Sequence, residues 1–361
     1  MRKSLITSLV LLLLVVCASD SFAQKRRYGY NKYKNKKYSN YSGGRTSYRG
    51  VGQTNYWTMG LSVNVLNYYG DLSPSDKRLS TNYGESKFGF GITGSRMVYP
   101  GIFFRAGYNY GVIEGDDSAN GDQGSGDASL RGRYLRNLHF KNNIHELSVG
   151  FEADMIPNNG GVRGRFPINP YIFFGAAVIA HSPKAIAPET DQAGNALEEA
   201  GQWVNLRDLG TEGQNIDSLG IDPYSKFAFV IPVGLGLKVK LHHNFDLNFE
   251  IGFRKTFTDY LDDVSNAYVD LDAFGDDNLA RAMSERGAET TSALTGADRG
   301  LNPTVGGGDI AMTGPYTHGS GYAPGQENSR GGSDYKDFYI TTQIRLVYIF
   351  DKKGASRGKF R

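Results

Sequence analysis

The fold is decided by residues 227–264, FAFVIPVGLGLKVKLHHNFDLNFEIGFRKTFTDYLDDV. Apolar side chains occupy every second position on each side of a short polar turn, Leu241–Asn244. A period of two predicts two β-strands joined as a hairpin. The apolar positions are Phe227, Phe229, Ile231, Val233, Leu235, Leu237 and Val239 in the first arm and Phe245, Leu247, Phe249, Ile251 and Phe253 in the second. The hairpin therefore has one bulky, largely aromatic face.

The opposite face of this hairpin indicates what surrounds it. It carries glycine together with charges of both signs, namely Lys238, Lys240, Asp246, Glu250 and Arg254. A soluble β-sandwich also alternates, but its apolar face is covered by a second sheet and its other face is solvated. Bulky apolar residues on one face, with glycine and charge on the other, are typical of strands that have lipid outside and a polar lumen inside. The hairpin predicts a transmembrane β-barrel.

The N-terminus predicts export. Arg2 and Lys3 precede an apolar run, and Ser21-Phe-Ala23 has the small-x-small form of a cleavage site, so residues 1–23 are predicted to be a signal peptide. The single cysteine, Cys17, leaves lipidation open, although Val16 before it is larger than the residue that lipidation signals carry there. No later stretch has the roughly 18 apolar residues of a membrane helix. A membrane location therefore requires a barrel.

Residues 24–54 form a segment of different composition. Lysine and arginine are interleaved with tyrosine, and the segment contains no acidic residue. Such a segment cannot bury a core, so we expect a disordered periplasmic tail. The net charge of +3 depends on it. Two interpretations stay open, a solvated tail or a tail that docks on an acidic periplasmic partner, whereas nucleic-acid binding is not expected of an exported chain.

Eight alternating stretches divide residues 55–350. They are residues 56–66, 87–98, 102–112, 139–155, 170–180, 227–240, 245–254 and 338–350, the fourth beginning at either His139 or Ile144. Long connections follow the first, third, fifth and seventh stretches, and short or moderate ones follow the others. This regularity predicts an all-β fold, an eight-stranded antiparallel outer-membrane barrel with long extracellular loops and short periplasmic turns. An even count places both termini, including the C-terminal tail 351–361, in the periplasm.

The inward positions of the predicted strands carry charges of both signs. We expect a luminal network of Arg105, Glu146, Glu152, Lys238, Asp246, Glu250, Arg254 and Arg345. Eight strands enclose only enough space for side chains or one small ligand, and unpaired buried charges are costly. Arg105 and Glu250 are the predicted central pair, whereas Asp154 and Lys240 are predicted to face water at the rims. The lumen is predicted to be plugged, which argues against a general diffusion porin.

The long connections and the histidines provide the residues on which binding or catalytic chemistry would depend. The acidic, glycine-rich residues 114–133 are predicted to be an exposed loop, where a calcium site is conceivable although the ligand order of an EF-hand is absent. In the longest connection a short helix is predicted over residues 276–286. His145 and Ser148 have opposite parities and share no face, and no nucleophile–base spacing can be defended. We expect no enzymatic activity, no cofactor, no metal and no small-molecule substrate.

Several segments resemble a known family. They are NPYIFFGA (169–176) with HSPK (181–184), IPVGLG (231–236), and FRKTFTDYLDDVS (253–265) with YVD (268–270). These look like the PorG-like outer-membrane barrels associated with type IX secretion, and the resemblance covers about residues 56–350. The third segment is the most specific, because it combines a strand end with a loop start that composition alone would not dictate. The basic tail is not matched.

The resemblance implies a non-enzymatic component of the secretion and gliding apparatus, which anchors a periplasmic ring of partner proteins to the outer membrane. Its signature residues are expected at the extracellular rim, where they would anchor the longest loop rather than bind the ring; they are Arg254, Thr256, Asp259, Tyr260, Asp262 and Asp263. Fold carries over more safely than function. The alternative is an independent adhesin or surface-binding barrel that acts through acidic extracellular loops.

Overall fold

The computed structural model describes residues 56–73, 87–121, 124, 128–158, 162, 164–300, 329–332 and 336–350. The predicted signal peptide, the basic tail and residues 351–361 lie outside this described part. The strands are β1 Trp57–Tyr69, β2 Lys87–Tyr99, β3 Ile102–Asp116, β4 His139–Asp154, β5 Ile168–Ala180, β6 Pro183–Ile186, β7 Trp203–Asn205, β8 Phe227–His242, β9 Phe245–Thr256 and β10 Phe338–Phe350. The helices are α1 Asp117–Asn120, α2 Ala128–Arg136, α3 Leu206–Leu209 and α4 Asn278–Ser284, with 3-10 turns at Asp217–Leu219 and Leu271–Phe274.

Of the ten strands in the described part of the chain, eight close into one antiparallel barrel. Their order is β1-β2-β3-β4-β5-β8-β9-β10, and β10 pairs back onto β1, with Trp57 opposite Phe350. The predicted eight-stranded barrel is therefore confirmed. The short strands β6 and β7 add to the end of β4 that extends beyond β5, where Lys141 lies opposite Lys184.

The two ends of the barrel differ in their connections, as predicted. At the short-turn end, Pro100 and Gly101 join β2 to β3, and His243 and Asn244 join β8 to β9. Gly101 has a φ of +80°, a conformation that glycine adopts without a steric penalty. The connections after β1, β3, β5 and β9 all emerge at the opposite end, called here the long-loop end. The predicted short helix in the last of these is present as α4.

Three strands run further into the long-loop end than predicted, and β9 does so by two residues, to Thr256. β1 continues to Tyr69 and β3 continues to Asp116. The added positions bury apolar side chains, because Ile113 is fully buried and the Tyr69 ring stacks on Phe338 with centroids 4.8 Å apart. These strands are extended because side chains at their ends are buried beneath the loops, and alternation along a single strand does not reveal that burial.

The outward positions of the barrel are apolar and exposed. Leu61 is 64% exposed, Phe88 76% and Leu235 62%, whereas the inward Ser62 is 5% exposed. A soluble protein rarely leaves so continuous an apolar surface in water, but a lipid-facing barrel does. The closed ladder also satisfies the backbone groups of this band without water. The barrel is thus of the transmembrane type.

None of the helices among the described residues is long and apolar enough to cross a membrane.

The lumen is filled in three layers. Charged residues occupy the middle. An apolar cluster closes the short-turn end, and its members are Tyr56, Met97, Phe103, Val162 and Ile349. A second apolar cluster fills the long-loop end and continues into the loops, with Ile113, Phe140, Ile144, Ile179 and Val230 among its buried members. The prediction of a polar lumen holds for the middle layer, whereas the two apolar layers were not predicted.

Glycine on the inward face makes room for this filling. Gly236 lies opposite Tyr171 in the β5–β8 ladder. A Cβ at Gly236 would overlap the Tyr171 ring. The glycine therefore lets the tyrosine lie across the lumen and reach the charged layer.

The loops of the long-loop end fold into an ordered cap, defined here as residues 117–121, 128–138, 181–226, 257–300, 329–332, 336 and 337. The prediction of an exposed loop over residues 114–133 was wrong in part. Asp116 and Asp117 are buried, and α2 occupies residues 128–136. Asp117 is buried because Arg136 binds it through Nε at 2.7 Å and Nη2 at 2.8 Å. An ion pair with the following helix thus folds this loop inward.

Candidate functional site

The centre of the lumen is organised around Glu250 on β9. Arg105 on β3 donates two hydrogen bonds to it, from Nη1 at 2.9 Å and from Nη2 at 3.2 Å. Tyr171 also donates its hydroxyl proton to Glu250 at 2.9 Å. The pair joins strands on opposite sides of the barrel, and its bidentate geometry is the strong form of such a bond. The central pair predicted from parity alone is the one that the structure contains.

Arg345 and Lys238 extend the central pair toward the short-turn end. Arg345 Nη2 lies 3.3 Å from Glu250 and 3.5 Å from Glu152. Lys238 Nζ lies 2.5 Å from both Glu152 and Asp154. The prediction that Asp154 faces water was wrong, because the lysine draws its side chain inward to 5% exposure.

Asp246 closes the network with a partner that was not predicted. Arg165, in the connection between β4 and β5, donates from Nη2 to Asp246 at 3.1 Å and to the backbone oxygens of His242 and His243. No strand alternation includes Arg165, because it lies outside the strands. Lys240, predicted at the rim, is half-buried and reaches the carbonyl of Arg165 at 3.4 Å.

Arg254 and Glu146 form a separate pair nearer the long-loop end. Arg254 Nε lies 3.4 Å from Glu146 Oε2, and Tyr339 donates to the same oxygen at 2.7 Å. Asn109 donates to the other oxygen of Glu146 at 3.1 Å. All eight residues of the predicted luminal network lie in the lumen. Tyr171, Tyr339 and Arg165 donate hydrogen bonds to three of its carboxylates. Tyrosines on the inward parity were the signal that could have identified two of these three.

The space left within the network is small. A cavity of about 30 Å³ lies among residues that include Glu152, Asp154, Lys238 and Asp246. This volume admits little more than a water molecule. With apolar clusters above and below the charged layer, the lumen is a packed interior.

In the cap, Tyr68 at the end of β1 brings two carboxyl groups together. Its hydroxyl oxygen lies 2.6 Å from Asp262 Oδ2 and 3.0 Å from Asp337 Oδ1. A phenol has one proton to donate, so it can donate to only one of the two. The second hydrogen bond then requires a proton on the other carboxyl group. The phenol proton and one carboxyl proton together satisfy both contacts. Tyr68, Asp262 and Asp337 are called here the Tyr68 clasp.

The surroundings of the clasp favour the protonated carboxyl. Burial raises the pKa of Asp262 well above its ordinary value, and the nearby Asp71 raises it further. Burial and the charge of Asp262 have the same effect on the pKa of Asp337. Backbone amides of Leu72, Val264 and Leu261 complete the hydrogen bonds of the two groups. The clasp joins the beginning and the end of the connection between β9 and β10 to strand β1.

Asp263 is buried in the same cap but has a cationic partner. Arg330 Nη2 lies 3.7 Å from its carboxylate, and Arg330 Nη1 binds Glu212 at 3.1 Å. The hydroxyl of Tyr224 donates to Asp263 at 2.6 Å. Burial raises the pKa of Asp263 to about 6, although Arg330 opposes the shift. This ion-pair group ties three separate loop segments together.

The other signature residues also serve the cap. Thr256 donates its hydroxyl proton to the backbone oxygen of Thr258 at 3.1 Å. Asp259 accepts a hydrogen bond from Ser265 at 2.7 Å, and burial raises its pKa to about 6. The Tyr260 ring stacks on Tyr224 with centroids 4.4 Å apart. The structure therefore divides the signature between the lumen, where Arg254 lies, and the inside of the cap.

His139, His145 and His181 lie apart from one another in the described part of the chain, whereas His318 lies outside the described residues. His145 is exposed on the outer face, where its Nδ1 lies 2.8 Å from the Tyr108 hydroxyl, whereas Ser148 points inward. His139 Nε2 accepts a hydrogen bond from the Ile186 amide at 2.9 Å. His181 is buried, and burial lowers its pKa to about 4. Among the residues described, no three histidine, cysteine or acidic side chains are placed to hold a metal ion.

Comparison with known proteins matches part of the sequence to a family. Residues 50–200, less than half of the chain, match a family described as a domain of unknown function, DUF6089. No curated protein matches the sequence.

Solved structures with a similar barrel share little sequence with this chain. Neisserial surface protein A has 7% identity and a TM-score of 0.33, covering 81% of this chain and 97% of its own. A major outer membrane protein from Thermus thermophilus has 12% identity and a TM-score of 0.35, covering 81% and 99%. The attachment invasion locus protein Ail of Yersinia pestis, solved with the heparin analogue sucrose octasulfate, has 8% identity and a TM-score of 0.30, covering 82% and 97%. Identities this low concern architecture alone.

Proposed function

We propose that this protein is a non-enzymatic outer-membrane barrel that anchors a periplasmic assembly of the type IX secretion and gliding machinery. The observation that carries the proposal is the filled lumen, in which the ion pairs around Glu250 lie between two apolar clusters. A barrel packed in this way offers no wide path for solutes. We therefore infer that the barrel acts through the loops and turns that it exposes on either side of the membrane.

The proposed orientation follows from the two ends of the barrel. Outer-membrane barrels have long extracellular loops and short periplasmic turns. The cap would accordingly face the exterior, and both termini of the barrel, next to Trp57 and Phe350, would face the periplasm. The basic tail of residues 24–54 then enters the periplasm, where it can contact an acidic partner.

The choice of a secretion partner rests on the sequence resemblance to PorG-like barrels. Its most specific segment, residues 253–265, contributes Arg254 to the lumen and Asp262 and Asp263 to the cap. These buried roles support the use of the segment as a structural anchor for the loops. The contact with a periplasmic ring is accordingly assigned to the short turns and the tail.

Gene deletion with complementation tests the anchoring role. Deletion should abolish secretion of C-terminally targeted cargo, and the full-length gene should restore it. A variant without residues 24–54 should insert normally, as judged by heat-modifiable gel migration, but should capture fewer periplasmic proteins in a pull-down. Unchanged secretion in the deletion strain contradicts the proposal. Conductance by the purified barrel in planar bilayers would contradict the filled lumen separately.

The well-defined structure of the cap favours a second candidate function, surface adhesion. Arg330 holds Glu212 and Asp263 together, and Arg299 donates to the backbone oxygens of Gly287 and Leu135. Loops that are pre-organised in this way lose less entropy when they bind. Capture of extracellular ligands by the cap, together with normal secretion in the deletion strain, would favour this role over anchoring.

A further inference from the structure

Two lysines lie opposite each other on the outer face of the barrel, just beyond its apolar band. Lys141 on β4 is the ladder partner of Lys184 on β6. Like charges directly opposite each other in a sheet are destabilising unless an anion lies between them. In the described part of the chain the carboxylate that contacts Lys141 is Glu114, at 3.7 Å, and Lys87 already binds Glu114 at 2.9 Å. The lysine patch, Lys87, Lys141 and Lys184, therefore retains a positive charge.

Neighbouring aromatic residues place this patch at the level of lipid headgroups. Trp203 is 41% exposed, and Lys141 Nζ lies 5.5 Å from its ring centroid. Nearer the apolar band on the same face, the Tyr108 hydroxyl contacts His145. Tryptophan and tyrosine concentrate at membrane–water interfaces. Tyr108 lies between the apolar band and the lysines, and Trp203, opposite Ile186, lies just beyond them. The lysines are thus flanked by aromatic rings on both sides.

An apolar trough crosses the outer face of the barrel below the patch, from Trp57 on β1 through β2, β3, β4 and β5 to Phe229 on β8. It has a volume of about 930 Å³, and Ile92, Leu147 and Val178 are among the residues that line it. Its floor includes Gly94 and Ala106, which are ladder partners on β2 and β3. No atom lies within 4 Å of where a Cβ of Gly94 would be. The trough is thus open to lipid, and it exists because Gly94 and Ala106 have small side chains or none.

We propose that the lysine patch and the trough together bind one phosphorylated glycolipid of the outer leaflet. The lysines contact a phosphate, and the trough receives an acyl chain. Leu147 lies about 20 Å from Lys141 along the strand, or about 15 Å across the membrane at the usual tilt of barrel strands, which is within the length of such a chain. The inference rests on the proposed membrane location and orientation and is independent of the anchoring role.

Charge selects this occupant over a second copy of the protein. A copy that packed its own trough on this face would bring a second lysine patch toward the first, which like-charge repulsion opposes. A soluble phosphate would use the lysines but leave the trough unused. A lipid with a phosphate headgroup uses both features.

Native mass spectrometry of the full-length protein in detergent micelles tests the proposal, with lipid A as the probe. Lipid A should bind more tightly than the same glycolipid with its phosphates removed. Each lysine near an anionic headgroup contributes about fivefold in affinity. Lys141→Gln combined with Lys184→Gln should therefore lower the affinity about 25-fold. The matched control is Lys255→Gln, an exposed lysine on β9 outside the patch, which should bind as the wild type does.

The trough is tested independently by Gly94→Leu, which fills open space, with Val233→Leu on β8 as its control. Gly94→Leu should weaken lipid A binding and Val233→Leu should not, while heat-modifiable migration verifies that every variant is folded.

Equal binding by the wild type and the double lysine variant overturns the proposal, as does equal binding of the dephosphorylated lipid. A dimer that Gly94→Leu disrupts while lipid binding persists would assign the trough to a second copy. Secretion assays of the same variants report separately on the anchoring role.

Discussion

The middle of the lumen and the Tyr68 clasp both bury carboxyl groups, but they stabilise them differently. In the lumen, Glu250 lies between Arg105 and Arg345, so its charge is matched by cations. In the clasp, Asp262 and Asp337 face a phenol and backbone amides. A matched charge depends on keeping both partners, whereas a carboxyl without a cation depends on keeping its proton. The two regions should therefore respond to different perturbations.

The largest effect is expected from breaking the central pair. Glu250→Ala leaves the Arg105 and Arg345 guanidinium groups buried without their main partner, which should cost about 3–5 kcal/mol of barrel stability. Urea unfolding in detergent micelles, followed by heat-modifiable migration, measures this loss. The double variant Glu250→Leu with Arg105→Met should recover part of it, since an apolar pair can replace a buried ion pair. Equal instability of both variants would contradict the ion-pair interpretation.

A smaller and local effect is expected in the cap. Arg330→Met leaves Glu212 and Asp263 buried without their cation, which should cost about 3 kcal/mol in the cap alone. Proteolysis of the intact barrel should then cleave the cap loops faster, whereas heat-modifiable migration should stay unchanged. Unfolding of the whole barrel by this substitution would show that cap and lumen are one cooperative unit.

The clasp should weaken as the pH rises. Carboxyl groups whose pKa is raised in the folded state stabilise it at low pH, and this contribution disappears as the pH passes through the folded-state pKa. The neutral His181 has the opposite effect, but only below its unfolded-state pKa of about 6.5. Above pH 6.5 the cap should therefore lose stability as the buried acids Asp262, Asp337 and Glu285 lose their protons, the pKa of Glu285 being raised to about 7 by burial. Cap amides should accordingly exchange faster at pH 9 after correction for intrinsic rates. Asp262→Asn removes the titrating group and should flatten this dependence; an equally steep dependence in that variant would assign it to other groups.

The smallest effect is expected at an exposed ion pair of the cap. Arg281 Nη2 contacts Asp272, whose side chain is 87% exposed. Exposed pairs are screened by water, so Asp272→Ala should change stability by less than about 0.5 kcal/mol. Urea unfolding under the conditions used for Glu250→Ala provides the direct comparison. A loss similar to that of Glu250→Ala would remove the distinction between buried and exposed pairs.

Alternation along the strands sufficed to predict the barrel and the Arg105–Glu250 pair. It works because an inward side chain in a closed barrel has only other inward side chains as neighbours. The same logic missed Arg165, which enters the lumen from a connection, and it placed Asp154 in water because alternation does not say how far a long lysine such as Lys238 reaches.

The cap was less predictable because its contacts depend on the packing of distant segments. Acidic, glycine-rich sequence is commonly solvated, so Asp117 was assigned to an exposed loop. Its burial depends on Arg136, and the burial of Asp263 depends on Arg330, far along the chain. No periodicity links such partners. The signature residues extend from the end of β9 into the loop that follows it, and their inward direction follows only from the tertiary structure.

The seam between β1 and β10 has a consequence for how the barrel forms. Along this seam Trp57 pairs with Phe350 and Tyr69 with Phe338, so the first and last strands meet directly. Pairing β1 with β10 closes a loop that includes nearly the whole barrel, and the loss of chain entropy precedes the contacts that offset it. The pairing of these two strands is therefore slow and late. The barrel cannot close until β10 has been synthesised and has reached the membrane. Because Tyr68 and Asp337 also face each other across the seam, the clasp forms in the same final event.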